Sequence, residues 1–200
     1  ALMGRVATHR HSALRSRQHP DLAKAVIALV GLPGTGKSTL GRQLARRREL
    51  PFFDSDAVIE HHLGMSIRSF FEAEGEAAFR DHEAEVIDTL TRGPSAVLAT
   101  GGGAVLRPVN RQHLRQRCTV IYLRSSPEQL YRRLRHDTKR PLLQGGNAFE
   151  KLQTLYAERD PLYRECAHFV IDTHGSTLSM LVNRILMQLE LMPPPSADAG

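Results

Sequence analysis

The feature that most constrains the fold is an eight-residue glycine-rich loop between a short apolar run and a helical segment. The loop reads Gly31-Leu32-Pro33-Gly34-Thr35-Gly36-Lys37-Ser38, and it matches the pattern G-x-x-x-x-G-K-[ST], whose backbone N–H groups wrap phosphates. Residues 24–30 before it predict a buried strand, and residues 38–49 after it predict a helix. Both flanks therefore agree with a phosphate-binding loop in an α/β domain.

The residue types in and just after this loop predict contacts to a nucleotide. Lys37 would hold the β- and γ-phosphates, and Ser38 would offer its hydroxyl to Mg²⁺. The glycines let the backbone approach closely, while the following helix presents its positive N-terminal end. The residues predicted to contact the nucleotide here are Gly34, Thr35, Gly36, Lys37, Ser38 and Thr39. The loop does not indicate which molecule would accept a phosphoryl group from the nucleotide.

Apolar runs of strand length alternate with helical patterns along the chain. Strands are predicted over residues 24–30, 52–54, 96–100, 119–123 and 168–172. Helices are predicted over residues 38–49, 66–92 with a break near Gly75, 108–117, 127–134, 149–165 and 177–191. Ser126 and Pro127 suit the N-cap and first position of the fourth of these helices. The alternation favours a parallel sheet covered by helices on both faces.

Composition excludes several classes of protein. No apolar run approaches the roughly 18 residues that span a membrane. Cys118 and Cys166 lack the spacing of a zinc ribbon or a disulfide scaffold, which indicates a reducing compartment. The net charge is +6, but four arginines and no acid lie in the first 20 residues, so the other 180 carry only +2. Net charge therefore gives little support to nucleic-acid binding.

The two ends of the chain differ from its centre. Residues 1–23 have no hydrophobic period and are expected to be a disordered or processed extension, with a plastid-type transit segment as the alternative. Residues 192–200 contain a proline run and are expected to form a flexible tail. The domain is expected to cover residues 24–191, and the location to be cytoplasmic.

Two acids follow the short strand that ends at Asp54. Asp54 and Asp56 are separated by Ser55, and residues i and i+2 of a strand point the same way. Ligands bind beyond the carboxyl ends of parallel strands, so both carboxylates could face the phosphates. One could support Mg²⁺ while the other orients an attacking hydroxyl. The alternative is that Asp56 caps a helix beginning near Ala57.

Three glycines and three arginines are further candidates. Gly101, Gly102 and Gly103 follow the strand at residues 96–100 and would permit close approach to a ligand, or simply form a flexible turn. The guanidinium group pairs bidentately with carboxylates and phosphates. The three arginines considered are Arg80, Arg140 and Arg164. Each of them, taken alone, is more typical of a solvated surface.

Taken together and in order, these motifs resemble the shikimate kinase family. GLPGTGKST, FFDSD, FRDHE, TGGGAV, KRPLL and PLYR occur in sequence, and the resemblance covers residues 24–190. It implies a single P-loop α/β domain with a five-stranded parallel sheet in the order 2-3-1-4-5, flanked by helices, as in nucleoside monophosphate kinases. It also implies a mobile lid over about residues 136–148, and a monomer without nucleic-acid or membrane partners.

The resemblance implies transfer of the γ-phosphoryl group of ATP to the 3-hydroxyl of shikimate, with Mg²⁺. Asp56 would be the catalytic carboxylate, assisted by Lys37 and by Arg140 on the lid. Asp54 would support Mg²⁺ beside Ser38. The remaining roles are a carboxylate clamp (Arg80 and Arg164), a surface along the substrate ring (Gly101, Gly102 and Gly103) and a residue over the adenine (Arg133).

The sequence departs from the family pattern on the adenine side. Ile171-Asp172-Thr173 is not followed by the proline that the family often places nearby, which leaves the adenine wall undefined. Two other functions stay open at this point. One is another small-metabolite kinase, such as a gluconate kinase. The other is a non-catalytic ligand-sensing module, which would not need the full set of catalytic residue types.

Overall fold

A five-stranded parallel sheet forms the centre of the computed structural model, which describes residues 26–135 and 147–192. The strands are β1 (Val26–Val30), β2 (Phe52–Asp54), β3 (Val97–Ala99), β4 (Cys118–Arg124) and β5 (Phe169–Asp172). Their order is β2-β3-β1-β4-β5, and every neighbouring pair is parallel. The predicted fold class and strand order are confirmed. The predicted extension 1–23, tail residues 193–200 and lid residues 136–146 lie outside the described residues.

Helices connect the strands and cover both faces of the sheet. They are α1 (Lys37–Arg48), α2 (Ser55–Leu63), α3 (Ile67–Arg92), α4 (Pro108–Arg117), α5 (Pro127–Leu134), α6 (Ala148–Cys166) and α7 (Leu178–Leu191). Six of these helices lie within one residue of their predicted bounds, whereas α2 was expected only as an alternative helix beginning near Ala57. Within the described ranges, no helix combines the length and apolar character needed to cross a bilayer.

Alternate residues of the central strands pack into two separate cores. All five residues of β1 are buried. Val26, Ala28 and Val30 join a core with α3, α4, α5 and α6, whereas Ile27 and Leu29 join a core with α1 and α7. Because both faces are covered, the open positions for a ligand lie at the carboxyl edge of the sheet.

Local signals position the helices around that edge. Gly75 adopts φ 84° and ψ 172°, which breaks α3 near the predicted position and is a conformation that glycine tolerates best. At α5, Ser126 accepts a hydrogen bond from the Gln129 backbone, and the Gln129 side chain accepts one from the Ser126 backbone. This capping box confirms the predicted start of α5.

Candidate active site

The glycine-rich loop joins β1 to α1 at the carboxyl edge of the sheet. Gly34 and Gly36 have φ angles of 86° and 91°, so the turn depends on residues without a side chain. Gly36 is the N-cap residue of α1, and the first helical residue is Lys37. The backbone N–H groups at the N-terminus of α1 therefore face the space that the loop encloses.

Lys37 lies inside the loop rather than in solvent. Its Nζ donates to the carbonyl oxygens of Gly31 at 2.7 Å and Leu32 at 2.9 Å, and the residue is only 8% exposed. The Thr35 hydroxyl donates to the same Leu32 carbonyl at 3.0 Å. The ammonium is thus held beside the backbone groups that would surround a phosphate chain.

A cavity of about 250 Å³ lies in front of this loop and collects residues from three strand ends. Its lining residues are Pro33, Gly34, Gly36, Lys37, Ser38, Thr39, Asp54, Asp56, Thr100, Gly101 and Gly102. The structure therefore brings five of the six loop residues predicted to contact the nucleotide, the two aspartates and the start of the glycine triplet into one space. Thr35, in contrast, is only 3% exposed and does not line this cavity.

Asp54 and Asp56 reach the cavity from different elements, which corrects the expectation that both lie on a strand. Asp54 ends β2 and caps α2, since its Oδ1 accepts from the backbone N–H groups of Asp56 at 3.0 Å and Ala57 at 3.3 Å. Its Oδ2 accepts from the Ser38 hydroxyl at 2.7 Å. The cap is therefore Asp54 and not Asp56, so the Asp56 carboxylate is not used as a cap.

Asp56 lies in the first turn of α2, against the start of the glycine triplet. A Cβ built on Gly101 would contact the Asp56 carboxylate, so only glycine leaves this space free. The pKa of Asp56 is raised to about 6, chiefly by burial and then by the neighbouring charges of Glu83 and Asp54, while Lys37 opposes the rise. This carboxyl group is mostly ionised at neutral pH and close enough to its pKa to exchange a proton.

A second cavity of about 300 Å³ adjoins the first. Pro33, Asp56, Gly101 and Gly102 line both of them. Phe71 and Phe79, with ring centroids 4.8 Å apart, provide an apolar wall. The other lining residues are Ile67, Arg80, Glu83, Gly103, Leu155 and Arg159. A small ring with polar substituents suits such a mixture of aromatic wall and charged groups.

Arg80 enters this second cavity from α3. Its Nη1 lies 2.8 Å from Glu83 Oε1, while its Nε is buried and has no hydrogen-bond partner among the residues that the structure describes. Burial raises the pKa of Glu83, which is 1% exposed, and the Arg80 guanidinium opposes that rise. A Cβ on Gly103 would contact the Arg80 guanidinium. An anionic ligand could engage the part of this guanidinium that Glu83 leaves unused.

Arg164, the second arginine predicted for the acceptor, does not line either cavity. Its Nε lies 3.0 Å from Asp160 Oδ2, and its side chain is 49% exposed. Arg159 lines the cavity instead, beside Arg80. Arg159 and Arg164 are five positions apart on α6, which places them on different faces of a helix with 3.6 residues per turn.

A helical stripe in the sequence could have identified Arg159. Leu152, Tyr156, Tyr163 and Cys166 recur at helical spacing and face the core. Arg159 falls within this stripe, three residues after one member and four before the next. A charged residue inside an apolar stripe is a stronger candidate for a buried site than one outside it, and Arg164 lies outside.

Arg133 lies beside the glycine-rich loop on the side away from the acceptor cavity. Its Nη1 donates to the Gly34 carbonyl at 2.8 Å. It lines a third cavity of about 330 Å³ with loop residues and with Leu123, Ser176, Leu178 and Leu181. The turn that contains Ser176 therefore forms part of the wall of this cavity, near the position where the family often has a proline. Arg140 lies outside the described residues, and its role stays a prediction.

Comparison with known proteins gives a consistent result. The family model described as "Shikimate kinase" matches residues 33–190. A shikimate kinase from Paracidovorax citrulli is 60% identical over 175 residues, which cover 85% of this chain and 96% of the relative. One from Ralstonia nicotianae is 56% identical over 176 residues, or 86% of this chain and 93% of the relative.

A solved structure agrees with these sequence matches. Shikimate kinase from Acinetobacter baumannii in complex with shikimate is 44% identical to this chain and superposes with a TM-score of 0.78. The match covers 83% of this chain and 93% of that chain. From the family model, the identities and the shared fold together, we conclude that this chain belongs to the shikimate kinase family.

Proposed function

We propose that this chain transfers the γ-phosphoryl group of ATP to the 3-hydroxyl of shikimate, giving shikimate 3-phosphate and ADP. The observation that carries the proposal is the pair of adjoining cavities, which share Pro33, Asp56, Gly101 and Gly102. One contains the phosphate-binding loop, and the other contains two arginines beside an aromatic wall. Asp56 lies between them, where an acceptor hydroxyl and a terminal phosphate would meet.

The first cavity provides for the nucleotide. Backbone N–H groups of the loop and the Lys37 ammonium would neutralise the phosphate oxygens, as in other phosphate-binding loops. Arg133 borders the third cavity, which has the apolar floor that a purine base needs. Nucleotide phosphates would thus bind at the loop and the base beyond Arg133.

The donor set near the loop fits Mg²⁺. Ser38 and Asp54 place a hydroxyl and a carboxylate 2.7 Å apart at the cavity wall, and Mg²⁺ prefers oxygen ligands. Residues 26–135 and 147–192 contain no group of three or more His, Cys, Asp or Glu side chains that could hold an ion by themselves. The ion would therefore share its coordination with the nucleotide, where it would neutralise charge on the phosphates.

The second cavity provides for the acceptor. Arg80 and Arg159 would bind the shikimate carboxylate, in place of the pair of Arg80 and Arg164 predicted from the sequence. The glycine triplet leaves room for the ring, and Phe71 and Phe79 would cover its apolar side. The carboxylate clamp would thereby place the 3-hydroxyl near Asp56.

Asp56 would act as the general base. Its carboxylate accepts a hydrogen bond from the 3-hydroxyl and takes the proton as that oxygen bonds to the γ-phosphorus. The bond between the γ-phosphorus and the bridging oxygen breaks, and ADP leaves with that electron pair. Lys37, and Arg140 if it reaches the phosphates, would neutralise the charge on the transferring group.

Coupled ADP release with Mg²⁺ tests the proposal. We expect ADP release to depend on shikimate, and gluconate to give no stimulation above the background. Phosphorus NMR of the product identifies the phosphorylated hydroxyl. Stimulation by gluconate instead of shikimate would favour the alternative small-metabolite kinase, and nucleotide binding without turnover on either acceptor would favour a sensor.

A monomeric state and a cytoplasmic location are also part of the proposal. Gel filtration tests the monomeric state.

A further inference from the structure

Tyr163 links the acceptor cavity to the helix that carries Arg159. It lies on α6 four residues after Arg159, so the two side chains share one face of the helix. The ring is 0% exposed, and its hydroxyl donates to the carbonyl oxygen of Gly102 at 2.6 Å. This bond joins α6 to the glycine triplet after β3, two segments that are 61 residues apart in sequence.

Several groups converge on the peptide that accepts this bond. A Cβ built on Gly102 would lie 2.6 Å from Cδ of Pro33, and 3.3 Å from Nη1 of Arg159. The Arg159 guanidinium is also a hydrogen-bond and charge neighbour of the Tyr163 hydroxyl. The phenol hydroxyl thus bonds Gly102, while the guanidinium and the proline of the phosphate-binding loop fill the space that a side chain there would need.

We propose that Tyr163 is a positioning residue for the acceptor: its hydroxyl anchors Gly102 and fixes the Arg159 guanidinium beside it. The inference rests on the proposed function, because it assigns Arg159 to the acceptor carboxylate. Without the hydroxyl, the Gly102 carbonyl loses its buried donor and Arg159 loses a neighbour that limits its rotamers. Both changes weaken acceptor binding without altering the groups that hold the phosphates.

Tyr122 offers a matched control in the same core. Its ring is 1% exposed, and the two tyrosine ring centroids are 5.0 Å apart. Its hydroxyl donates at 2.8 Å to Asp160 Oδ1, and Tyr122 lines neither acceptor nor nucleotide cavity. Tyr122→Phe therefore removes a hydroxyl from an equally buried ring, but this hydroxyl does not contact Gly102.

The test compares steady-state kinetics of Tyr163→Phe, Tyr122→Phe and the wild-type chain. For Tyr163→Phe we expect the KM for shikimate to rise about tenfold, with kcat and the KM for ATP changed less than about twofold. Tyr122→Phe should keep all three parameters within about twofold of wild type. A general loss of packing would move both variants together. An unchanged shikimate KM in Tyr163→Phe, or equal changes in the two variants, would overturn the proposal.

A double-mutant cycle with Arg159→Lys tests whether Tyr163 acts through Arg159. In that background, the further Tyr163→Phe change should raise the shikimate KM by less than about threefold, because coupled residues are not additive. A second full tenfold rise would overturn the proposal. A wild-type chain that is inactive with shikimate would overturn the proposed function and this inference together. An active wild type with an unaltered Tyr163→Phe variant would overturn only the inference.

Discussion

The two halves of the active site are built from different kinds of structure. The nucleotide half is one contiguous loop that would bind phosphates mainly through its backbone N–H groups, with Lys37 as its buried cation. The acceptor half is assembled from side chains on α2, α3 and α6, and about a hundred residues separate Asp56 on α2 from Arg159 on α6. Geometry in the first half is therefore local, whereas geometry in the second depends on how distant elements pack.

Charge is also distributed differently in the two halves. Around the acceptor, two carboxylates (Asp56 and Glu83) face two guanidiniums (Arg80 and Arg159). Burial raises the pKa of both acids because it removes water from their charged forms. Each unlike neighbour matters more in such surroundings than at a surface. Single substitutions there should change acceptor parameters while leaving nucleotide binding intact.

Asp56→Asn should produce the largest effect. Asparagine keeps the size of the side chain but cannot accept the hydroxyl proton, so kcat should fall by about 10²–10⁴-fold. Affinity for ATP should stay near wild type because Asp56 is separate from the loop backbone. Coupled ADP release and nucleotide titration measure the two quantities. Asp81→Asn, at a position whose side chain is 72% exposed, is the matched control. Near-normal turnover in Asp56→Asn would remove Asp56 from the mechanism.

The comparison of Arg159→Ala with Arg164→Ala should give the next largest effect. Loss of Arg159 removes a charge-assisted hydrogen bond to the acceptor, worth about 1.5–3 kcal/mol, and should raise the shikimate KM about 10–100-fold. Arg164→Ala removes an exposed ion pair with Asp160, and should change the same KM by less than about threefold. The opposite ranking would return Arg164 to the acceptor clamp.

Much of this arrangement could be predicted from the sequence, and more of the nucleotide half than of the acceptor half. The alternating pattern predicted the sheet, and the contiguous loop predicted five of the residues that line the first cavity. The structure places two residues differently from the prediction. Arg164 differs because its face of α6 depends on packing, and Asp56 differs because a helix begins before it. Arg159 and Arg164 differ only in the face of α6 that they occupy. Asp56 follows the end of β2, so strand alternation does not apply to it.

The pH dependence of kcat/KM for shikimate should reflect Asp56. Its pKa is raised to about 6, chiefly by burial, and the protonated form cannot act as a base. Activity should therefore be nearly constant above about pH 7 and fall about tenfold per pH unit well below 6. A stopped assay from pH 4.5 to 8.5 measures the profile. Constant activity down to pH 4.5 would show that no carboxylate with a raised pKa acts as the base.

Gly103→Ala should give the smallest effect. It is the most sensitive test of whether the acceptor half can change without the nucleotide half. A Cβ at this position would contact the Arg80 guanidinium, with Cζ at 2.6 Å, so the guanidinium has to shift away from the acceptor. An imperfect hydrogen bond of this kind costs about 1 kcal/mol, which corresponds to a rise of about fivefold in the shikimate KM. The KM for ATP should not change, because the loop lies beyond Gly102.

Gly93→Ala is the matched control for that substitution. Gly93 has φ −75°, which any residue adopts, and the nearest atom to an added Cβ is the Leu90 carbonyl oxygen at 3.4 Å. It lies at the end of α3, away from both cavities, so the shikimate KM should stay at the wild-type value. If Gly103→Ala raised the KM values for ATP and shikimate equally, the two halves would be coupled through the glycine triplet rather than separable. If it raised neither, Arg80 would not depend on Gly103 for its place in the acceptor clamp.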